Sequence, residues 1–102
     1  MSDPSPQRDS QSDGARKAVY TISVAAELVG AGMQTLRIYE TRGLVRPART
    51  PGGTRRYSAY DIERLRRITS LLEAGLNLAG IAMVLALEEE NARLRAEWED
   101  QP

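Results

Sequence analysis

Gln34, Thr35, Arg37 and Tyr39 fall within one short stretch and carry side chains suited to reading double-stranded DNA. A glutamine amide can bond adenine at two points, and a threonine methyl can touch a thymine methyl while its hydroxyl reaches a phosphate. Arg37 can read guanine or clamp a phosphate, and Tyr39 can pack its ring inward while its hydroxyl bonds a phosphate. A second group follows, in which Arg46, Arg49, Arg55 and Arg56 flank the run Thr50-Pro51-Gly52-Gly53. Loss of a phosphate contact weakens binding to every sequence, whereas loss of a two-point base contact relaxes specificity at one position.

The elements that must position these residues are legible from spacing and punctuation. Tyr20-Thr21-Ile22 is rich in β-formers and predicts a short strand. Ser23 is a candidate N-cap for a helix over Val24–Val29, with Ala25, Leu28 and Val29 at helical spacing. Gly30-Ala31-Gly32 breaks it, and a second helix is expected over 33–42, with Gly43 as its C′ residue and Leu36 facing the core. Two short helices joined by a glycine-containing turn form a helix-turn-helix, whose second helix lies in the major groove. A two-stranded wing over 46–57 follows, Pro47 suiting an edge strand and Pro51-Gly52-Gly53 its tip. Side chains alternate along a strand, so Arg55 and Arg56 face opposite ways; periodicity does not choose which meets DNA. Ser58 with Asp61 three residues on resembles a capping box for a third helix. The buried stripe of that helix is Ile62, Leu65, Ile68, Leu71 and Leu72, with Arg64, Arg66 and Arg67 mostly off it. Gly75 ends it, and Asn77 can cap a fourth helix that begins at Leu78 and can continue unbroken into EEENARLRAEW.

Charge is segregated along the chain. The formal net charge of 102 residues is zero, yet residues 34–68 hold nine arginines against Glu40, Asp61 and Glu63. Residues 69–102 hold Arg93 and Arg95 against seven acids. A basic middle beside an acidic end fits one face meeting phosphates. With neither cysteine nor histidine, disulfides, thiolate or imidazole metal sites and Cys/His or Ser/His catalysis are excluded. No cofactor or metal is expected, and no enzyme, since no nucleophile–base pair or phosphate-cradling loop is present. Residues 1–18 are rich in Ser, Asp, Gln and Pro and read as a disordered tail. That segment has no apolar core for a signal peptide, and no later stretch is long enough to span a bilayer, so the expected location is the cytoplasm, at the nucleoid.

The last segment carries a seam. Val84, Leu87, Asn91, Leu94 and Trp98 are spaced 3, 4, 3 and 4 apart, as at the a and d positions of a coiled coil. About two heptads are present, fewer than the three or four of a sustained pattern. Two readings follow: a dimerisation helix, which a domain this small favours, or a helix that folds back with Trp98 as a core plug.

At YTISVAAELVGAGMQTLRIYETRGLV, GGTRRYS and AYDIERLRRITSLLEAGLNLAGI the chain resembles the MerR family of bacterial transcription regulators, over residues 20 to about 82. Within it, ISVAAELVG, GGTRRYS and GLNLAGI are most similar to the actinobacterial heat-shock repressor branch. The resemblance implies a mainly α fold, a winged helix-turn-helix over 19–82 with a C-terminal dimerisation helix over 83–102. It implies a two-fold homodimer on a promoter inverted repeat, joined by an antiparallel coiled coil. By matched position it implies Arg37, Tyr39, Arg55 and Tyr57 as phosphate and groove contacts, and favours Arg55 over Arg56. Gly32 stands where a small hydroxyl residue is frequent, and Thr54 where many members have Tyr. Many members also continue into a ligand- or metal-binding domain, whereas this sequence stops at Pro102, so no small-molecule effector is expected.

The function expected is therefore sequence-specific regulation of transcription, as a repressor, with any signal arriving through a protein co-regulator such as a chaperone. Two alternatives stand beside it. One is an architectural or excisionase-like DNA binder assembling on direct repeats; the other is a MerR-like chaperone-interaction module, which would not need nine central arginines.

Overall fold

The computed structural model describes residues 16–100. Strand β1 (Ala18–Tyr20) leads into helix α1 (Ile22–Val29) and helix α2 (Met33–Thr41). The two wing strands, β2 (Ala48–Arg49) and β3 (Arg55–Ser58), come next, then helices α3 (Ala59–Glu73) and α4 (Leu78–Glu99). The fold is mainly helical, a winged helix-turn-helix followed by a long terminal helix.

The first helix starts earlier than its spacing suggests. Thr21, not Ser23, is the N-cap, its hydroxyl accepting from the Val24 amide at 3.3 Å. The strand accordingly shifts back to Ala18–Tyr20. A threonine in extended backbone satisfies an orphan N–H of the first turn, and that bond decides where the helix begins. The buried face of α1 is Ala25 and Ala26, while Leu28 is exposed.

Helix α2 has Gly32 as its N-cap, which supplies no side-chain cap. Its other end is closed more firmly. The Gly43 amide donates to the Glu40 carbonyl and the Leu44 amide to the Tyr39 carbonyl, both at 2.9 Å. This is the Schellman arrangement, and Gly43 takes the left-handed backbone it requires, with φ 75°. The turn delivers Leu44 and Val45 straight into the core.

The sheet has strand order β1-β3-β2, antiparallel throughout. Ala48 pairs with Arg56 and Arg49 with Arg55, so the wing is a short hairpin. At its tip the Gly53 amide donates to the Thr50 carbonyl at 2.8 Å, and the Thr54 amide to the Thr50 hydroxyl at 3.1 Å. Gly53 has φ 86°, the left-handed residue with which longer hairpin loops close. Strand β3 runs directly into α3 through a reciprocal capping box: the Ser58 amide donates to Asp61 Oδ2 and the Asp61 amide to Ser58 Oγ.

The described chain divides into two compact units, one through Arg67 and one from Ile68 onward. In the first, Leu36, Tyr39, Leu44, Val45, Tyr57, Ile62 and Leu65 are buried. In the second, Ile68, Leu71, Ile81 and Leu85 are buried, and Leu72 is exposed at the margin of the α3 stripe. Helix α4, capped by Asn77 through the Gly80 amide at 2.8 Å, runs unbroken through residues 82 and 83. Of the tail expected over 1–18, residues 1–15 lie outside the described residues, and Ala18 already belongs to β1. No helix among the described residues is long and apolar enough to cross a membrane.

Candidate nucleic-acid interface

Helix α2 presents one polar face and buries the other. Leu36 and Tyr39 turn inward, whereas Gln34 is exposed and Thr35 and Arg37 are half-buried. Arg37 Nη1 donates to Gln34 Oε1 at 3.3 Å, so the two side chains lie together one turn apart. The Thr41 hydroxyl donates to the Arg37 carbonyl at 2.9 Å, occupying a carbonyl near the helix end. Gln34, Thr35 and Arg37 thus form a compact polar patch on the first turns of the helix.

The wing places its residues differently from one another. Arg55 and Arg56 are both half-buried, and Arg56 Nη1 donates to the Arg55 carbonyl at 3.1 Å. Tyr57 is wholly buried at 0 % exposure, and its hydroxyl has no hydrogen-bond partner among the described residues. It is a packing residue beneath the wing and presents no surface to a ligand in this conformation. Burial first, and the nearby Glu40 charge next, hold its phenol above the ordinary 10.0. Tyr39 is likewise buried, which raises its pKa. Tyr39 thus has the inward-packed ring expected of it.

Glu40, which was not among the expected site residues, links helix to wing. Its Oε2 accepts from Arg49 Nη2 at 2.9 Å and its Oε1 from Arg55 Nε at 2.5 Å. One carboxylate therefore joins α2 to both strands of the hairpin. Arg49 Nη1 also donates to the Gly53 carbonyl at 3.0 Å, extending the network to the wing tip. Burial alone would raise the Glu40 pKa, but hydrogen bonds from Arg55 and Arg49 outweigh it and hold the carboxyl below its ordinary 4.5. The same contact raises the Arg55 pKa. A signal was present: Glu40 is the only acid between residues 34 and 60, amid six arginines.

Behind the wing, Arg64 Nε donates to the Leu44 carbonyl at 2.5 Å, tying α3 to the segment that leaves α2. Arg66 pairs with Glu63 on the exposed side of α3. Among the described residues, no group of three or more Asp or Glu is placed to hold a metal ion.

The expected seam residues share the exposed side of α4. Leu87 is 67 % exposed and Trp98 76 % exposed, Asn91 and Leu94 are exposed, and Val84 is half-buried. Trp98 is therefore not a core plug of the single chain. Val84, Leu87 and Asn91 line a shallow face with Glu88, Ala92 and Arg95. Arg93 bonds Glu90 and Glu97 one turn to either side, stiffening the helix beyond the seam.

Comparison with known proteins agrees with this geometry. The family model described as MerR HTH family regulatory protein matches residues 20–88. A Streptomyces coelicolor protein named putative heat shock protein HspR is 54% identical over 79 residues, 76% of this chain and 52% of its own length. The HTH-type transcriptional regulator TnrA of Bacillus subtilis is 38% identical over 74 residues, covering 72% of this chain and 67% of that protein. Among solved structures, HiNmlR, described as a MerR family regulator lacking the sensor domain and bound to promoter DNA, superposes with a TM-score of 0.63 at 29% identity. That match covers 76% of this chain and 65% of the other. The chain spans about half the length of the heat-shock relative and of several other curated relatives.

Proposed function

Because the chain belongs to the MerR helix-turn-helix family of regulatory proteins, we propose that it is a sequence-specific DNA-binding regulator of transcription, acting as a repressor. One observation carries the reading. A polar patch on α2, Gln34, Thr35 and Arg37, shares its helix with Glu40, which ties that helix to an arginine-bearing wing. The helix enters the major groove with Gln34 and Thr35 towards base edges and Arg37 on a base or phosphate. Arg55 and Arg56 of the wing engage the flanking backbone, while Tyr39 and Tyr57 support the two elements from the core. The promoter-bound HiNmlR supports DNA as the partner.

Residues 19–82 form the winged unit in this reading, and 83–102 the helix that pairs with a second copy. The exposed seam on α4 supports a homodimer, and hence a two-fold inverted repeat in preference to direct repeats. Repression needs only occupancy of a promoter, so no catalytic chemistry is required. The site of action is the nucleoid of the cytoplasm. The co-regulator in this reading is a chaperone, as the resemblance to the heat-shock branch implies.

Fluorescence anisotropy on DNA from upstream of the gene, beside a scrambled duplex at two salt concentrations, tests the reading. The upstream duplex binds more tightly, and Arg37→Ala lowers its affinity by about 1–3 kcal/mol. Equal binding to both duplexes would replace specific regulation with an architectural role. No binding at low salt would turn the search to protein partners.

A further inference from the structure

We infer that Glu40 is a positioning residue that locks the wing to the recognition helix and decides which edge of Arg55 is offered to DNA. The inference deepens the regulator reading above and rests on it for its DNA arm. Three observations carry it. The Glu40 carboxylate divides its oxygens between the two wing strands, Oε1 to Arg55 and Oε2 to Arg49. Arg49 passes the constraint on to the wing tip through the Gly53 carbonyl. Arg55 uses only Nε in this network, and among the described residues no hydrogen bond uses its Nη1 or Nη2.

A guanidinium has five N–H donors in a rigid plane. With Nε held by Glu40, the plane of Arg55 is set and its four remaining donors form the edge left for a phosphate. Side-chain exposure agrees with this: Arg55 is 26% exposed and Arg49 46%, so neither is sealed away by the pairing. The carboxylate also cancels part of the wing charge. Removing it would add non-specific attraction to any duplex while loosening the geometry that joins base contacts to backbone contacts. Specificity and raw affinity should therefore move in opposite directions, which an ordinary stabilising ion pair would not produce.

The test is Glu40→Gln, which keeps the shape and one acceptor but removes the charge. Glu63→Gln is the control, since Glu63 holds an exposed pair with Arg66 on α3. Amide hydrogen exchange needs no DNA. In Glu40→Gln the Thr50, Gly53 and Thr54 amides, which close the wing tip, exchange several-fold faster, and in Glu63→Gln they do not. Unchanged exchange would overturn the inference whatever the protein binds.

On DNA, Glu40→Gln binds the scrambled duplex more tightly at low salt, with a salt slope steeper by up to about 0.9. Its preference for the upstream duplex falls about tenfold. An equal gain on both duplexes, with the preference intact, would reduce Glu40 to a charge and sink the positioning role. A wild-type protein that shows no preference at all would defeat the regulator reading instead, while the exchange rates would still decide the lock.

Discussion

Arginines are the obvious currency of this molecule, but the residue that organises them is an acid. Glu40 sits on the inner side of the interface, where Arg49 and Arg55 converge on it from two strands. Its ionisation is linked to the order of the wing. The carboxyl has a pKa below the ordinary 4.5 because the two guanidiniums together outweigh the burial that would raise it. A carboxylate with a depressed folded pKa contributes stability that is present above its unfolded value and is lost as pH falls through the folded one. Wing order should thus hold at neutral pH and decline only below about 4.5, in the acid range where carboxylates protonate. Proton-detected titration of the Thr54 and Gly53 amides checks this; a wing that loosens between pH 6 and 7 would contradict it. Buried Tyr57 shows a different lesson of the same scale. The family resemblance implies a contact residue, yet Tyr57 lies on β3, the middle strand of the sheet, and is wholly buried.

At the scale of elements, boundaries follow hydrogen bonds that cap orphan backbone groups. Thr21 displaces Ser23 as the start of α1 because its hydroxyl meets the Val24 amide. Three helices end on a left-handed glycine or its equivalent turn, and the one after α2 matters most, since it aims the chain from the recognition helix into the wing. The Ser58–Asp61 box performs the matching task between β3 and α3, where a strand passes into a helix with no loop to absorb error. Ser58→Ala removes one arm of that box and should lower stability by about 1 kcal/mol, as cap losses typically do. Urea unfolding with an unchanged slope checks the value. A cost near zero would mean that packing of Tyr57 and Ile62, not the cap, sets the start of α3.

At the scale of the whole molecule, the proposed pairing with a second copy rests on the apolar side of α4. Leu87, Leu94 and Trp98 lie exposed along a helix whose remaining surface is heavily charged. Large apolar side chains at a/d spacing are the ordinary signature of a helix pair. Leu94→Glu should leave each chain folded, because Leu94 packs no core, and should convert dimer to monomer in sedimentation equilibrium at micromolar concentration. The same variant should lose affinity for an inverted repeat far more than for a single half-site. If the unaltered protein sediments as a monomer throughout, the dimer reading fails, and direct-repeat assembly becomes the better account.

Much of this molecule is legible in its sequence. Helix and strand order, the glycine stops, the wing tip, both later caps and the inward turn of Leu36 follow from periodicity and capping chemistry, because these are local properties encoded within a few residues. The arginine-rich middle and its polar helix start were equally readable from composition. Three-dimensional packing decided the rest. Whether Tyr57 meets a ligand or the core depends on what lies across from it, and so does the exposure of Trp98. The partnership of Glu40 with residues nine and fifteen positions away arises only when the hairpin closes against the helix. Local chemistry wrote the elements; the long-range approach of one carboxylate to two guanidiniums assembled them into a single surface.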